Sequence, residues 1–244
     1  MQSNKAKLSG NQRILSAVCI VLFVCSLLLT LFRPSFYAVD VAVNLWVPSI
    51  QSGAASIFAE AIALIFDTTS IVLISLLISG ALFLKNRKPQ SLFLLGAMGG
   101  VALIVETIKI FNHVARPTNS ILLDSGFSYP SGHSAGIVVF GGVLVYFAWR
   151  HCRNKRPRVL IGTGLVALVG IVGFDRLYLN VHWLSDVFGG WLFGVFWLSF
   201  VVLLFEQLEV AGKFQCERFD LVANLLYIAA VVVSVLVVLS GFVV

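Results

Sequence analysis

The sequence predicts an all-α, polytopic membrane protein, and three observations predict it. Of its 244 residues, 59% are hydrophobic, and the mean hydropathy is +0.98. Only 11% are Asp, Glu, Lys or Arg, against about 25% in soluble domains. The apolar residues collect in uncharged runs close to the roughly 20 residues that cross a hydrocarbon core. This composition excludes a soluble enzyme, a disordered chain and an extended nucleic-acid-binding surface.

Seven runs are long enough to span: residues 14–32, 68–84, 89–105, 134–149, 159–174, 187–205 and 221–244. The shorter ones extend by a turn into their flanks. The first has no small-residue cleavage site after it, so it reads as a retained helix rather than a removed signal. Residues 41–66 are apolar but interrupted by Asn44, Pro48, Gln51, Ser52, Gly53 and Glu60. One or two short interfacial helices ending near Asp67 fit that stretch better than another span.

The net charge of +6 could suggest a nucleic-acid partner, but the placement of the charges does not. With the N-terminus in the cytoplasm, 13 of the 17 lysines and arginines fall on the cytoplasmic side, as the positive-inside rule requires. A span within 41–66 would split the clusters at 85–88 and 150–158 from the one at 5–13. The expected setting is therefore the plasma (inner) membrane, crossed several times. The four cysteines imply no disulfide framework.

The four basic residues left over are Arg33, Lys109, Arg116 and Arg176. Arg33 reads as an interfacial anchor. The others gather with histidines: Lys109 and Arg116 near the outer end of the third span, Pro130-Ser131-Gly132-His133 at the start of the fourth, and Asp175 to Asp186 between the fifth and sixth. Parity brings all three segments to one membrane face. Cations, two histidines and a carboxylate beside a bilayer suit a phosphorylated ligand. His182 and Asp186, four residues apart, can share one face of a helix start, where the carboxylate fixes the imidazole tautomer and frees the other nitrogen as a nucleophile. His133 follows Ser-Gly at a helix N-terminus, where free amides bind anionic oxygens and an imidazole can act as general acid.

These residues resemble the three signatures of the type 2 phosphatidic acid phosphatase superfamily, Lys-x6-Arg-Pro, Pro-Ser-Gly-His and Ser-Arg-x5-His-x3-Asp. They stand here, in the same order, as Lys109 to Arg116-Pro117, Pro130 to His133, and Arg176 through His182 to Asp186. The resemblance covers roughly residues 68–205 and implies a six-helix phosphatase core including the first span. That gives a transmembrane phosphatase domain over 1–210, and a cytoplasmic linker with an additional C-terminal transmembrane helix over 211–244.

The resemblance also implies roles. His182 attacks phosphorus, Asp186 orients it, and His133 protonates the leaving group and then activates water. Lys109, Arg116 and Arg176, with the Ser131 hydroxyl and the Gly132 amide, hold the phosphoryl oxygens. It implies a lipid phosphate or pyrophosphate substrate, no metal or other cofactor, and a site on the outer, periplasmic face. A lipid phosphotransferase and a non-catalytic lipid-phosphate binder or transporter are the alternatives. One position departs: the family's Ser before Arg is Asp175, read here as a position that tolerates variation.

Other features read as structural. Glu106, three residues before Lys109, is expected to pair with it. Gly96-x3-Gly100 and Gly190-x3-Gly194 suggest close helix packing. His113 and His151 read as solvated flanks, and Trp183 and Trp191 as interfacial and packing residues.

Overall fold

The computed structural model describes residues 10–122, 124–152 and 154–213. Among them the chain is helical: α1 (Gly10–Phe32), α2 (Tyr37–Trp46), α3 (Gly53–Ile65), α4 (Thr68–Leu84), α5 (Lys88–Asn112), α6 (Gly132–His151), α7 (Lys155–Tyr178) and α8 (Leu184–Val210). Six helical stretches are long and apolar enough to cross a membrane, the first running on through α2 and the second beginning with α3. These match six of the seven expected spans. The seventh, at 221–244, lies outside the described residues.

Residues 41–66 form short helices, as expected, although the first begins earlier, at Tyr37. Short 3-10 turns containing Pro34 and Pro48 bracket α2, because proline removes a donor and fixes φ. Gln51 is extended, and Ser52 caps α3 by accepting the Ala55 N–H at 3.4 Å. The polar residues that interrupt this apolar stretch hold it against the α7–α8 connection. Asn44 Nδ2 donates to Asn180 Oδ1 at 3.0 Å, Gln51 Nε2 to the Tyr178 carbonyl at 2.7 Å, and the Ser52 N–H to the Tyr178 hydroxyl at 3.0 Å. Beneath them Ala59 and Ala63 of α3 pack on Tyr178, Leu179 and Val181.

The centre of the bundle is the pair α6 and α8, flanked by α1, α5 and α7. In lipid, helices associate through close packing rather than through expulsion of water, so small residues mark the contact. A Cβ on Gly190 would stand 2.5 Å from the Ser131 carbonyl oxygen, and one on Gly194 would stand 3.0 Å from that of Ala135. The expected Gly190-x3-Gly194 contact is therefore a backbone approach of α8 to the first turns of α6. In the other pair, Gly100 seats the Trp197 ring, while Gly96 faces nothing within 4 Å. Trp197 Nε1 also donates to the Ala97 carbonyl at 2.8 Å. Below the site, Phe93, Phe147 and Phe205 interlock edge to face at centroid distances of 4.8–5.4 Å, a favoured aromatic geometry.

Candidate active site

The site is assembled where α7 ends and α8 begins. α7 stops at Tyr178, and Asn180 takes a left-handed φ of 53°, which asparagine tolerates better than most side chains. The chain then turns so that His182 precedes α8 instead of lying on it, with Trp183 as the N-cap. The one-face-of-a-helix expectation is corrected in this detail, yet the contact is made: His182 Nδ1 lies 3.3 Å from Asp186 Oδ2. Asp186 sits in the first turn, and the same oxygen accepts the Trp183 N–H at 2.8 Å. A carboxylate is the favoured group at that helix end.

His182 is buried, and burial pushes its pKa below the usual histidine value although Asp186 opposes this. A neutral ring with its Nδ1 proton toward Asp186 leaves Nε2 with a lone pair. Arg116 Nη1 stands 3.3 Å from that nitrogen.

The basic residues are held differently from one another. Lys109 is on the last turns of α5, with Nζ 3.2 Å from Glu106 Oε1, the expected pair. Arg116 does not continue that helix, which ends at Asn112 with His113 in the left-handed conformation. It lies in the following loop, where its guanidinium reaches Asp124 at 2.9 Å and donates to the Val181 carbonyl at 2.8 Å and to that of Gly126 at 3.2 Å. Burial lowers its pKa somewhat, and Asp124 counters this. Arg176 is buried on α7 and hydrogen-bonds the neighbouring Asp175 through Nε, at 3.1 Å, and through Nη2. Asp175 is thus the charge partner of Arg176, not an indifferent replacement of serine.

The loop from 113 to 131 closes the other side. Ser131 caps α6: its Oγ lies 3.4 Å from the Ser134 N–H and accepts the Ser134 hydroxyl at 3.1 Å. Gly132 and His133 follow in the first turn of α6. A cavity of about 300 Å³ opens here. Lys109, Arg116, Gly132, His133 and His182 line its polar mouth, while Ile71, Met98, Val101, Ala102 and Val105 line an apolar floor between α4 and α5. Arg176 and Ser131 are buried outside that lining.

A family model described as "PAP2 superfamily" matches residues 90–209, the stretch that carries Lys109, Arg116, Ser131, Gly132, His133, Arg176, His182 and Asp186. The chain belongs to the PAP2 superfamily. Among its relatives it is 31% identical over 135 residues to phosphatidylglycerophosphatase B of Bacillus subtilis, covering 54% of this chain. It is 34% identical over 107 residues to an undecaprenyl-diphosphatase of Sulfolobus acidocaldarius, covering 43%. These matches span 65% and 46% of the two relatives' own lengths. The fold is that of a crystal structure described as the first transmembrane PAP2-type phosphatidylglycerolphosphate phosphatase from Bacillus subtilis, with a TM-score of 0.70 at 22% identity, covering 78% of this chain and 96% of that one.

In this PAP2 chain several polar residues around the site escape a reading of the motifs alone. Ser128 donates a hydrogen bond to Asp186 Oδ2 and lies 3.3 Å from His182 Nδ1. Arg33, expected as an interfacial anchor, instead reaches Asp186 Oδ1 at 3.3 Å. Asp40 of α2 accepts the Ser185 N–H at 2.8 Å and its hydroxyl at 2.7 Å. Asp67, between α3 and α4, stands 3.7 Å from His133 Nε2. Only their charge or hydroxyl in an apolar setting hinted at them, because the partners lie 54 to 153 residues away in sequence.

Proposed function

We propose that this chain is a metal-independent lipid phosphatase that removes phosphate from a lipid phosphomonoester or pyrophosphate through a phosphohistidine. The observation that carries the reading is the state of His182: Nδ1 is held by Asp186, and Nε2 faces Arg116 at a cavity that His133 also lines. Nε2 attacks phosphorus as the bond to the leaving oxygen breaks, while the Nδ1 proton stays against Asp186. His133 gives that oxygen a proton. In the second half it takes one from water, which attacks phosphorus and displaces His182.

Lys109, Arg116 and the Gly132 amide face the phosphoryl oxygens. Such positioning and charge stabilisation are most of what phosphoryl transfer requires of a protein. Arg176, tied to Asp175, adds its charge from behind the wall, and Ser131 acts by setting the first turn of α6. The names of the relatives and the apolar floor of the cavity both support a lipid substrate, whose chain would lie along Met98, Val101 and Val105. The positive-inside pattern supports a site on the outer face of the plasma membrane.

The test is phosphate release from a panel of lipid phosphates by detergent-purified protein, with EDTA and with vanadate. Turnover is expected to survive the chelator, to be inhibited by vanadate and to vanish in His182→Ala. Activity retained in that variant refutes the proposed nucleophile, and transfer to an added lipid acceptor in preference to water would make the chain a phosphotransferase.

A further inference from the structure

His133 is asked to carry a proton close to several positive charges. Arg176 of α7, His182 of the α7–α8 turn and Lys109 of α5 bear on it, and against these stands Asp67 from the turn before α4; Glu106 and Asp124, which line the same cavity, are paired with Lys109 and Arg116. Asp67 Oδ1 lies 3.7 Å from His133 Nε2, and both residues line the cavity. A carboxylate at that distance can pair with a protonated ring nitrogen and so fix which way the imidazole points. Asp67 lies outside the 90–209 match that carries the signature residues.

We propose that Asp67 is a positioning residue for the general acid, holding the Nε2–H of the His133 imidazolium so that the second N–H is presented to the departing oxygen. The inference rests on the phosphatase reading above. As the phosphorus–oxygen bond breaks, the Nδ1 proton passes to the alkoxide and leaves a neutral imidazole whose Nε2–H remains with Asp67. In the second half Nδ1 takes a proton from the attacking water, which restores the imidazolium beside the carboxylate. Asp67 thus keeps one ring nitrogen committed and one free, as Asp186 does for His182.

An aspartate immediately before a helix also has the plain role of capping it, so the experiment must separate the two. Turnover is compared for a long-chain alkyl phosphate and for a nitrophenyl phosphate bearing the same alkyl chain. The alkoxide needs a proton as it leaves, whereas the weakly basic nitrophenolate does not. Asp67→Asn is expected to lower kcat/KM, which reports the steps up to departure of the alcohol or phenol, about tenfold or more on the alkyl ester and to leave that of the aryl ester within about threefold, in line with the usual contribution of general acids. Asp67→Glu should recover most of the loss, and Asp67→Asn should cost nothing further in a His133→Ala background. An equal loss on both esters, or no loss on the alkyl ester, overturns the inference. Activity surviving in His182→Ala would instead refute the phosphohistidine reading, so the two failures are distinguishable.

Discussion

Arg33 Nη2, one residue past the end of α1, lies 3.3 Å from Oδ1 of Asp186 in the first turn of α8. The same guanidinium lies 3.8 Å from Asp40 and 5.5 Å over the Tyr129 ring, whose hydroxyl shares a 2.9 Å hydrogen bond with Thr30. Asp186 therefore has both oxygens occupied: Oδ2 by His182, Ser128 and the Trp183 amide, Oδ1 by Arg33. A buried carboxylate so saturated has one orientation. The N-terminal helices, which lie outside the matched stretch, fix that orientation as much as α8 does.

Arg33→Gln is expected to lower kcat roughly 10- to 100-fold, since a hydrogen bond to a charged group is worth about 1.5–3 kcal/mol. Arg33→Lys should recover part of it. The check is steady-state kinetics on one lipid phosphate, and an unchanged kcat would show that Asp186 needs no support on its Oδ1 side.

Ser128→Ala removes a donor to Asp186 without touching the cavity lining. The expected result is a drop in kcat of about tenfold, the scale of one hydrogen bond, with KM nearly unchanged. A rise in KM alone would place Ser128 in substrate binding.

Gly190→Ala puts a methyl group against the Ser131 carbonyl, where a Cβ would be 2.5 Å away, so α6 and α8 must separate or shift. Overpacking of this kind costs about 1–3 kcal/mol, read as a lower Tm in detergent. Because the displaced segment carries Gly132 and His133, turnover should fall further than the change in Tm implies.

The pH dependence follows from His182. Burial disfavours its charged form, so the neutral nucleophile persists below the ordinary histidine range, and protonation removes it only at lower pH. The acidic limb of kcat/KM, which reports the free enzyme, is expected below about 6.5. A phosphomonoester has its own ionisation near 6. The limb that stays in place when a substrate of different acidity is used belongs to the protein, and an acidic limb of the protein lying above 6.5 would contradict a buried neutral His182.

Much of the architecture was legible in the sequence. Uncharged runs marked six of the helices, because a chain in lipid must satisfy its backbone internally over a fixed thickness. Asn44, Pro48, Gln51 and Ser52 marked the interruption at 41–66, although the partners of Asn44, Gln51 and Ser52 on α7 and the turn after it could not be named. Lys109, Arg116, His133 and His182 stood out as charges and histidines in an apolar chain, and the structure gathers them at one cavity.

The amino-acid order by itself determined the helical class and which segments carry the signature residues. It did so because length, hydropathy and motif spacing are local properties of the chain. Only the tertiary structure decided that Arg33 and Ser128 hold Asp186, that Asp175 balances Arg176, that Ser131 caps α6, and that Asp67 meets His133. Apart from the adjacent Asp175–Arg176 pair and the local Ser131 cap, these contacts join segments far apart in sequence, through distances and directions that appear only once the helices have packed.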